Sequence, residues 1–275
     1  MSSQTRYRFF IAGVARSGTT LLQSMLGAHP DLFTPPELHL WDQLFFKQKA
    51  IRFFQVIPES KLAQVKKRFR AIDPKLPVRS GKIWYNSTSY TRWVIRNLDE
   101  AAALAGKTGW LEKTPLNLYY TRLIQKTTPQ AMIVHMVRNP EANIASLLEA
   151  GKKYPGYFAQ DSLGACIDRY VREIKISARA LDRPNNFLVR YEELVENPEK
   201  VLKELCRKTG LEFHKDMLRY REKAREIIEP EEAWKQNNVK ELAVSEKYKR
   251  LLTTSELELI REKTGDLPII GKEER

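Results

Sequence analysis

The chain has 275 residues, 42% hydrophobic and 29% charged, so it can bury a core of enzyme size and is neither disordered nor fibrous. Its net charge of +13 favours anionic partners, but the basic residues are spread along the chain, so nucleic-acid binding is not expected. No apolar run approaches the length of a membrane span, and we expect no leader peptide because a strand is predicted directly after the first six residues. Cys166 and Cys206 form no metal or disulfide pattern. We expect a cytoplasmic protein with free thiols and no metal.

Two strand-and-helix units can be recognised first. Residues 7–14 form an apolar run that predicts a buried strand, and the apolar spacing after Thr19 predicts a helix. Residues 131–137 are too apolar for a strand with an exposed face, so a second buried strand is predicted there. Asn139 and Pro140 are typical of a helix N-cap and first helical position, and a helix is expected to follow.

A third unit has its strand at residues 186–190 and its helix at 198–209, and a shorter strand is predicted at 109–111. Strands that alternate with helices favour an α/β fold with a parallel sheet covered by helices. Ligands of such sheets gather at the carboxyl ends of the strands. We expect one P-loop-like domain over residues 1–275.

Residues 38–104 differ in amino-acid composition from these units. They are rich in aromatic residues, namely Trp41, Phe45, Phe46, Phe53, Phe54, Trp84, Tyr85, Tyr90 and Trp93. This composition predicts a helical insertion that covers the mouth of the sheet as a lid and forms an acceptor pocket. Aromatic residues at helical spacing also occur in ordinary cores, and that alternative stays open.

The segment after the first strand reads Gly13-Val14-Ala15-Arg16-Ser17-Gly18-Thr19-Thr20. Glycines five residues apart between a strand and a helix are the framework of a phosphate-binding loop. Thr19 stands where an ATPase has its phosphate-binding lysine, which argues against a triphosphate hydrolase. The loop suits a ligand with one 5'-phosphate-linked group, such as 3'-phosphoadenosine 5'-phosphosulfate (PAPS). The alternative is a Ser/Thr turn that only caps a helix.

Residues Arg16, Ser17, Gly18, Thr19 and Thr20 resemble the 5'-phosphosulfate loop of PAPS-dependent sulfotransferases. The pattern is most similar to the tyrosylprotein sulfotransferase branch and its bacterial relatives. That branch has a His-Pro pair and then a glutamate at the spacing of His29-Pro30 and Glu37. The resemblance implies transfer of a sulfuryl group from PAPS to a hydroxyl acceptor.

The family resemblance extends to the rest of the nucleotide site. Arg138 and Ser146 match an arginine and a serine that hold the 3'-phosphate of the nucleotide in the family. Tyr191 resembles a family tyrosine near the nucleotide, and Lys247 resembles a lysine in the loop that closes over the 3'-phosphate. The branch has a catalytic serine upstream of that lysine, and residues 226–240 contain no serine.

The resemblance also implies roles in catalysis. Lys113 matches a lysine beside the bridging oxygen of the donor, but Pro115 stands where the small-molecule branch has its catalytic histidine. Glu37 is therefore expected to be the general base, with His39 as a rival because its ordinary pKa is closer to neutral. Arg16 and Lys113 are expected to stabilise the charge on the transferring group and the leaving oxygen.

Two other functions fit parts of the pattern. A P-loop kinase would bind ATP through the same loop, but it needs a carboxylate for magnesium, and the strand at 131–137 is followed by an arginine. A non-catalytic nucleotide binder would keep Arg138 and Ser146 without chemical roles for Glu37 and Lys113. The acceptor stays open among protein tyrosine, carbohydrate, lipid and carrier-bound hydroxyl groups.

Overall fold

The computed structural model describes residues 5–42, 59–72, 74–76, 78, 86–155, 162–228 and 246–270. The strands are Tyr7–Gly13 (β1), Leu32–Phe33 (β2), Gly109–Lys113 (β3), Met132–Val137 (β4) and Asn186–Arg190 (β5). They form one parallel sheet in the order β2-β3-β1-β4-β5. The predicted α/β fold, a parallel sheet flanked by helices, is confirmed.

Helices connect and cover the strands. The α-helices are Thr19–Gly27 (α1), Glu59–Ile72 (α2), Ser87–Leu104 (α3), Thr121–Thr127 (α4), Pro140–Lys153 (α5), Leu163–Leu181 (α6), Tyr191–Glu196 (α7), Pro198–Thr209 (α8), Tyr220–Ile227 (α9), Tyr248–Leu251 (α10) and Thr254–Thr264 (α11). Short 3₁₀ helices span Pro115–Tyr120 and Lys215–Arg219. None of the helices in the described ranges is long and apolar enough to cross a membrane.

The predicted units agree closely with the observed elements. The strand expected at 131–137 begins at Met132, and the Asn139 side chain caps the next helix by accepting a hydrogen bond from the Ala142 amide at 3.0 Å. The strand expected at 109–111 continues to Lys113. This extension places two charged residues inside the sheet, a point that the apolar pattern did not predict.

Successive side chains of β1 point to opposite faces of the sheet, so the core has a layer on each face. Phe9 and Ile11 lie in a cluster with residues of α1, α8 and α9 on one face of the sheet. Phe10 lies in the cluster on the other face, where its ring contacts the Trp110 ring edge to face at 5.1 Å. β1 is therefore a central strand buried on both faces.

The insertion contributes to this second layer. Trp41, Phe69 and Tyr90 are fully buried in it, and Tyr90 donates a hydrogen bond to the Leu40 carbonyl at 2.6 Å. The alternative that these aromatics are core residues is therefore the correct one for Trp41, Tyr90 and Trp93. Their companions Phe45, Phe46, Phe53, Phe54, Trp84 and Tyr85 lie outside the described residues, and the lid stays a prediction.

The sheet brings the predicted site residues to one edge. Because all strands are parallel, their carboxyl ends share an edge of the sheet. β1 ends at Gly13 and leads into the glycine loop, and β3 ends at Lys113. β4 and β5 are followed directly by Arg138 and Tyr191.

Candidate active site

The loop between β1 and α1 turns sharply, and two glycines permit the turn. A Cβ atom at Gly13 would lie 2.3 Å from the Met136 carbonyl oxygen on β4. At Gly18, whose φ is 93°, a Cβ atom would lie 2.4 Å from Cδ2 of Tyr191. Both distances are shorter than carbon atoms tolerate, so only glycine fits. Arg16 also has a left-handed backbone, with φ 70°, which packing must enforce.

Ser17 fastens this loop from inside. Its hydroxyl lies 2.6 Å from the Val14 carbonyl and 3.1 Å from the Met136 carbonyl, and its amide donates to Val14 at 3.2 Å. The side chain is fully buried. The Ser17 amide is therefore directed back into the loop, and a contact of Ser17 with a phosphate stays a prediction.

The N-terminus of α1 is the part of the loop suited to an anion. Gly18 is the N-cap residue, and no side chain caps the helix there. The helix begins at Thr19, so Thr19 and Thr20 contribute amides to its first turn, where helices have unsatisfied donors and a partial positive charge. This end of the helix can therefore bind a phosphate group.

Two arginines meet beside this helix end. Arg138 donates from Nη1 to the Arg16 carbonyl at 3.2 Å, and Arg16 donates from Nε to the Ser146 hydroxyl at 3.1 Å. Burial and then the charge of Arg138 lower the pKa of Arg16, against an opposing effect of Glu149. An anion between the two guanidinium groups would relieve their mutual repulsion.

The Arg138 guanidinium is held by an aromatic ring and not by a carboxylate. It lies 4.5 Å from the centroid of the Tyr191 ring, a distance typical of cation–π contacts. Within the described ranges Arg138 makes no ion pair, and its buried Nε has no hydrogen-bond partner. A positioned guanidinium without a carboxylate is suited to an incoming phosphate.

One face of α5 supports this cluster. Asn143, Ser146 and Glu149 are three residues apart, so they share a helix face. The Asn143 amide donates to the Ala15 carbonyl at 3.2 Å and ties the loop to α5. Glu149 pairs with Lys247 at 2.5 Å, which brings Lys247 close to the cluster. The sequence analysis missed Asn143 and Glu149, although their spacing from Ser146 could have indicated them.

Glu37, His39 and Lys113 form a second group of charged residues. Lys113 is buried at the end of β3 and makes an ion pair with Oε2 of Glu37. Oε1 of the same carboxylate lies 3.4 Å from Nε2 of His39. The ion pair with Lys113 and the contact with His39 thus hold both oxygens of the Glu37 carboxylate in place.

His39 is held in place by a residue that the sequence analysis missed. Its Nδ1 lies 2.9 Å from the Asp42 carboxylate, and its backbone has a φ of 51°. Burial by itself lowers the pKa of His39, but the Asp42 hydrogen bond and the charges of Glu37 and Asp42 raise it above its ordinary value. The Arg68 guanidinium of α2 donates to the carbonyls of Leu38 and His39, so the insertion supports this turn.

Glu112 is a buried carboxyl group under the same cluster. It accepts hydrogen bonds from the Thr114 hydroxyl at 2.7 Å and from the Asn117 amide, and Thr114 accepts one from the His39 amide at 3.3 Å. Burial raises its pKa to about 7 and Glu37 adds to this, although both hydrogen bonds and Lys113 oppose the shift. A carboxylate inside a strand buried on both sides was the signal that could have identified it.

The two groups are neighbours because β3 and β4 both pair with β1. Lys113 lies opposite Ile11, and Met136 lies opposite Gly13, on the two sides of β1. Adjacent strands are about 5 Å apart. The structure therefore brings together Arg16, Thr19, Thr20, Arg138, Ser146 and Tyr191 on one side of β1 and Glu37, His39 and Lys113 on the other.

Comparisons with known proteins identify related sequences and folds. The profile of the Sulfotransferase family matches residues 8–215. Protein-tyrosine sulfotransferase 1 of Danio rerio is 26% identical over 216 residues, which are 78% of this chain and 56% of that protein, so the chain spans little more than half of this relative.

Two solved structures share the fold. The sulfotransferase domain from the curacin biosynthetic pathway has 20% identity and a TM-score of 0.61, with 96% of this chain and 99% of that one covered. Mouse sulfotransferase SULT7A1, complexed with PAP, has 14% identity and a TM-score of 0.55, with 95% and 84% covered.

Proposed function

This chain belongs to the Sulfotransferase family, and we propose that it transfers the sulfuryl group of PAPS to a hydroxyl acceptor and releases adenosine 3',5'-bisphosphate. Membership in this family makes it a transferase. The observation that carries the proposal is the meeting of Arg16 and Arg138 at the uncapped N-terminus of α1, one strand away from the buried Glu37–Lys113 pair. Groups that can bind an anion thus lie next to a carboxylate that can accept a proton.

The donor would bind across the carboxyl edge of the sheet. The amides of Gly18, Thr19 and Thr20 would hold the 5'-phosphate, since the Ser17 amide is engaged within the loop. Arg138, supported by Tyr191, and the Ser146 hydroxyl would hold the 3'-phosphate. Lys247 would approach the same phosphate from the pair that it makes with Glu149.

The transfer itself needs three charged side chains. The acceptor oxygen forms a bond to sulfur while the bond between sulfur and the bridging phosphate oxygen breaks, and the acceptor proton passes to Glu37. Lys113 and Arg16 stabilise the charge that develops on the transferring group and on the bridging oxygen. Lys113 has to turn from Glu37 toward that oxygen, which leaves the Glu37 oxygen that it contacted open to the acceptor hydroxyl.

The surroundings of His39 favour Glu37 as the base. The raised pKa of His39 increases its charged fraction near neutral pH, and a charged imidazole accepts no proton. His39 and Asp42 therefore serve to orient Glu37. We expect Glu37→Gln to remove turnover while keeping nucleotide affinity, and His39→Asn to retain measurable turnover.

The acceptor has a hydroxyl group, and a tyrosine-containing peptide is the first to test. This choice rests on the name of the zebrafish relative, a protein-tyrosine sulfotransferase. The formal charge of +13 favours an acidic peptide over a neutral one. Carbohydrates and small molecules with hydroxyl groups are the further acceptors to test.

Isothermal titration with adenosine 3',5'-bisphosphate, and separately with ATP and magnesium, tests the donor site. We expect micromolar binding of the bisphosphate, a loss of at least thirtyfold in Arg138→Ala, and no heat with ATP. Arg207→Ala removes an exposed arginine of α8 and serves as the matched control. Binding of ATP without response to the bisphosphate would make the chain a kinase-like protein and overturn the proposal.

A further inference from the structure

A second basic region lies at the amino ends of the strands. A cavity of about 730 Å³ is lined by Arg6, Arg8, Arg92 and Arg96, together with Thr128 and Gln130. Arg6 precedes β1 and Arg8 is its second residue, while Arg92 and Arg96 lie on α3. Thr128 and Gln130 lie in the connection between α4 and β4. This arginine cavity is therefore at the edge of the sheet opposite the candidate active site.

Arg8 is a fixed donor in the arginine cavity. Its Nε and Nη2 atoms each lie 2.9 Å from the Asp99 carboxylate, and Trp110 donates to the same carboxylate at 2.8 Å. Both oxygens of Asp99 are thus occupied by Arg8 and Trp110. Asp99 orients Arg8, but its charge is already matched and does not balance the remaining arginines.

Arg92 and Arg96 make no such pair with any described residue. They are four residues apart on α3, so they lie on the same face of the helix, and both are exposed. No ion pair joins either arginine to another side chain in the part of the chain that the structure describes. Like charges at this spacing destabilise a helix slightly, and an anion bound between them would offset the repulsion.

We propose that the arginine cavity binds a small anion with two adjacent phosphate groups. Two observations agree with this chemistry: among the described residues no ion pair joins Arg92 or Arg96 to an acidic side chain, and a hydroxyl and an amide line the wall. A planar guanidinium group can donate two parallel hydrogen bonds to one phosphate group. Two neighbouring arginines can therefore bind two adjacent phosphate groups, one phosphate for each arginine. The proposal does not depend on the function of the candidate active site.

The test is isothermal titration of the full chain with inorganic pyrophosphate at constant ionic strength. We compare the unaltered chain, Arg92→Ala/Arg96→Ala and the matched pair Arg221→Ala/Arg225→Ala. The control pair has the same spacing on α9 and the same exposed character, so it removes equal charge elsewhere. We expect one saturable binding event that weakens at least tenfold in the α3 variant and less than twofold in the α9 variant.

Arg138→Ala separates the two anion sites. The binding event at the arginine cavity should persist in this variant, because Arg138 lies at the other edge of the sheet. The proposal is overturned if pyrophosphate does not saturate, if both arginine pairs weaken binding equally, or if Arg138→Ala alone abolishes it. A circular dichroism spectrum of each variant confirms that α3 and α9 stay folded.

Discussion

Replacement of Glu112 by glutamine should stabilise the protein by an amount that grows as the pH rises from 5 to 8. Glu112 is fully buried at the end of β3, and its pKa is raised from 4.5 to about 7. Below pH 4.5 the carboxyl group is protonated in the folded and unfolded states and has no effect on the pH dependence of stability. Between pH 4.5 and 7 only the folded state keeps the proton, so stability falls as pH rises.

The size of the stability change follows from the pKa shift of Glu112. A pKa difference of this size corresponds to a penalty of about 3 kcal/mol above pH 7, an order-of-magnitude figure. Glutamine has no such penalty, but its amide group would face the Asn117 amide, which costs about 1 kcal/mol unless Asn117 rotates. We therefore expect Glu112→Gln to differ little in stability from the unaltered chain at pH 5, where a penalty of about 1 kcal/mol already offsets the amide contact, and to be more stable by about 2 kcal/mol at pH 8.

Urea unfolding at pH 5, 6, 7 and 8 and constant ionic strength measures this difference. Glu199→Gln is the control, because its carboxylate is exposed and its ion pair with Lys203 lowers its pKa. The control should differ from the unaltered chain by the same amount at all four pH values. A Glu112→Gln difference that is constant with pH, or that becomes more destabilising above pH 7, would refute the reasoning.

Three further changes test the site. Gly18→Ala should destabilise the fold by about 2 to 4 kcal/mol in urea, because its φ is 93° and the new Cβ atom would meet Tyr191; an unchanged midpoint would contradict this. Asp42→Asn should lower the pKa of His39, measured by NMR titration, since a carboxylate contact is lost. Lys247→Ala should weaken bisphosphate binding about three- to tenfold with stability within about 0.5 kcal/mol, because exposed pairs contribute little; an unchanged affinity would exclude Lys247 from the site.

The sequence was informative wherever one local pattern decides the structure. The apolar runs of β1 and β4 could be recognised because a strand buried on both faces has no room for polar residues. Asn139 and Pro140 marked the start of α5 because helix ends need a side-chain acceptor and tolerate proline. The glycine spacing after β1 predicted a tight loop, because a tight turn accepts few residue types.

Tertiary structure decided which distant residues meet. Glu37 and Lys113 are 76 positions apart, and their contact exists because the turn after β2 folds over the end of β3. Asn143 and Glu149 act through partners on other elements, the Ala15 carbonyl and Lys247, which their spacing from Ser146 did not reveal. Ser17 shows the same limit in part, since the contact of its hydroxyl with the Met136 carbonyl depends on the packing of the loop against β4.

The sequence by itself thus determined the four longer strands, the helices that follow three of them and the residue types at the phosphate loop, because these depend on periodicity and backbone conformation. Only the tertiary structure decided which carboxylates are paired, buried or exposed, because desolvation and charge–charge distances depend on the packing of segments far apart in the chain.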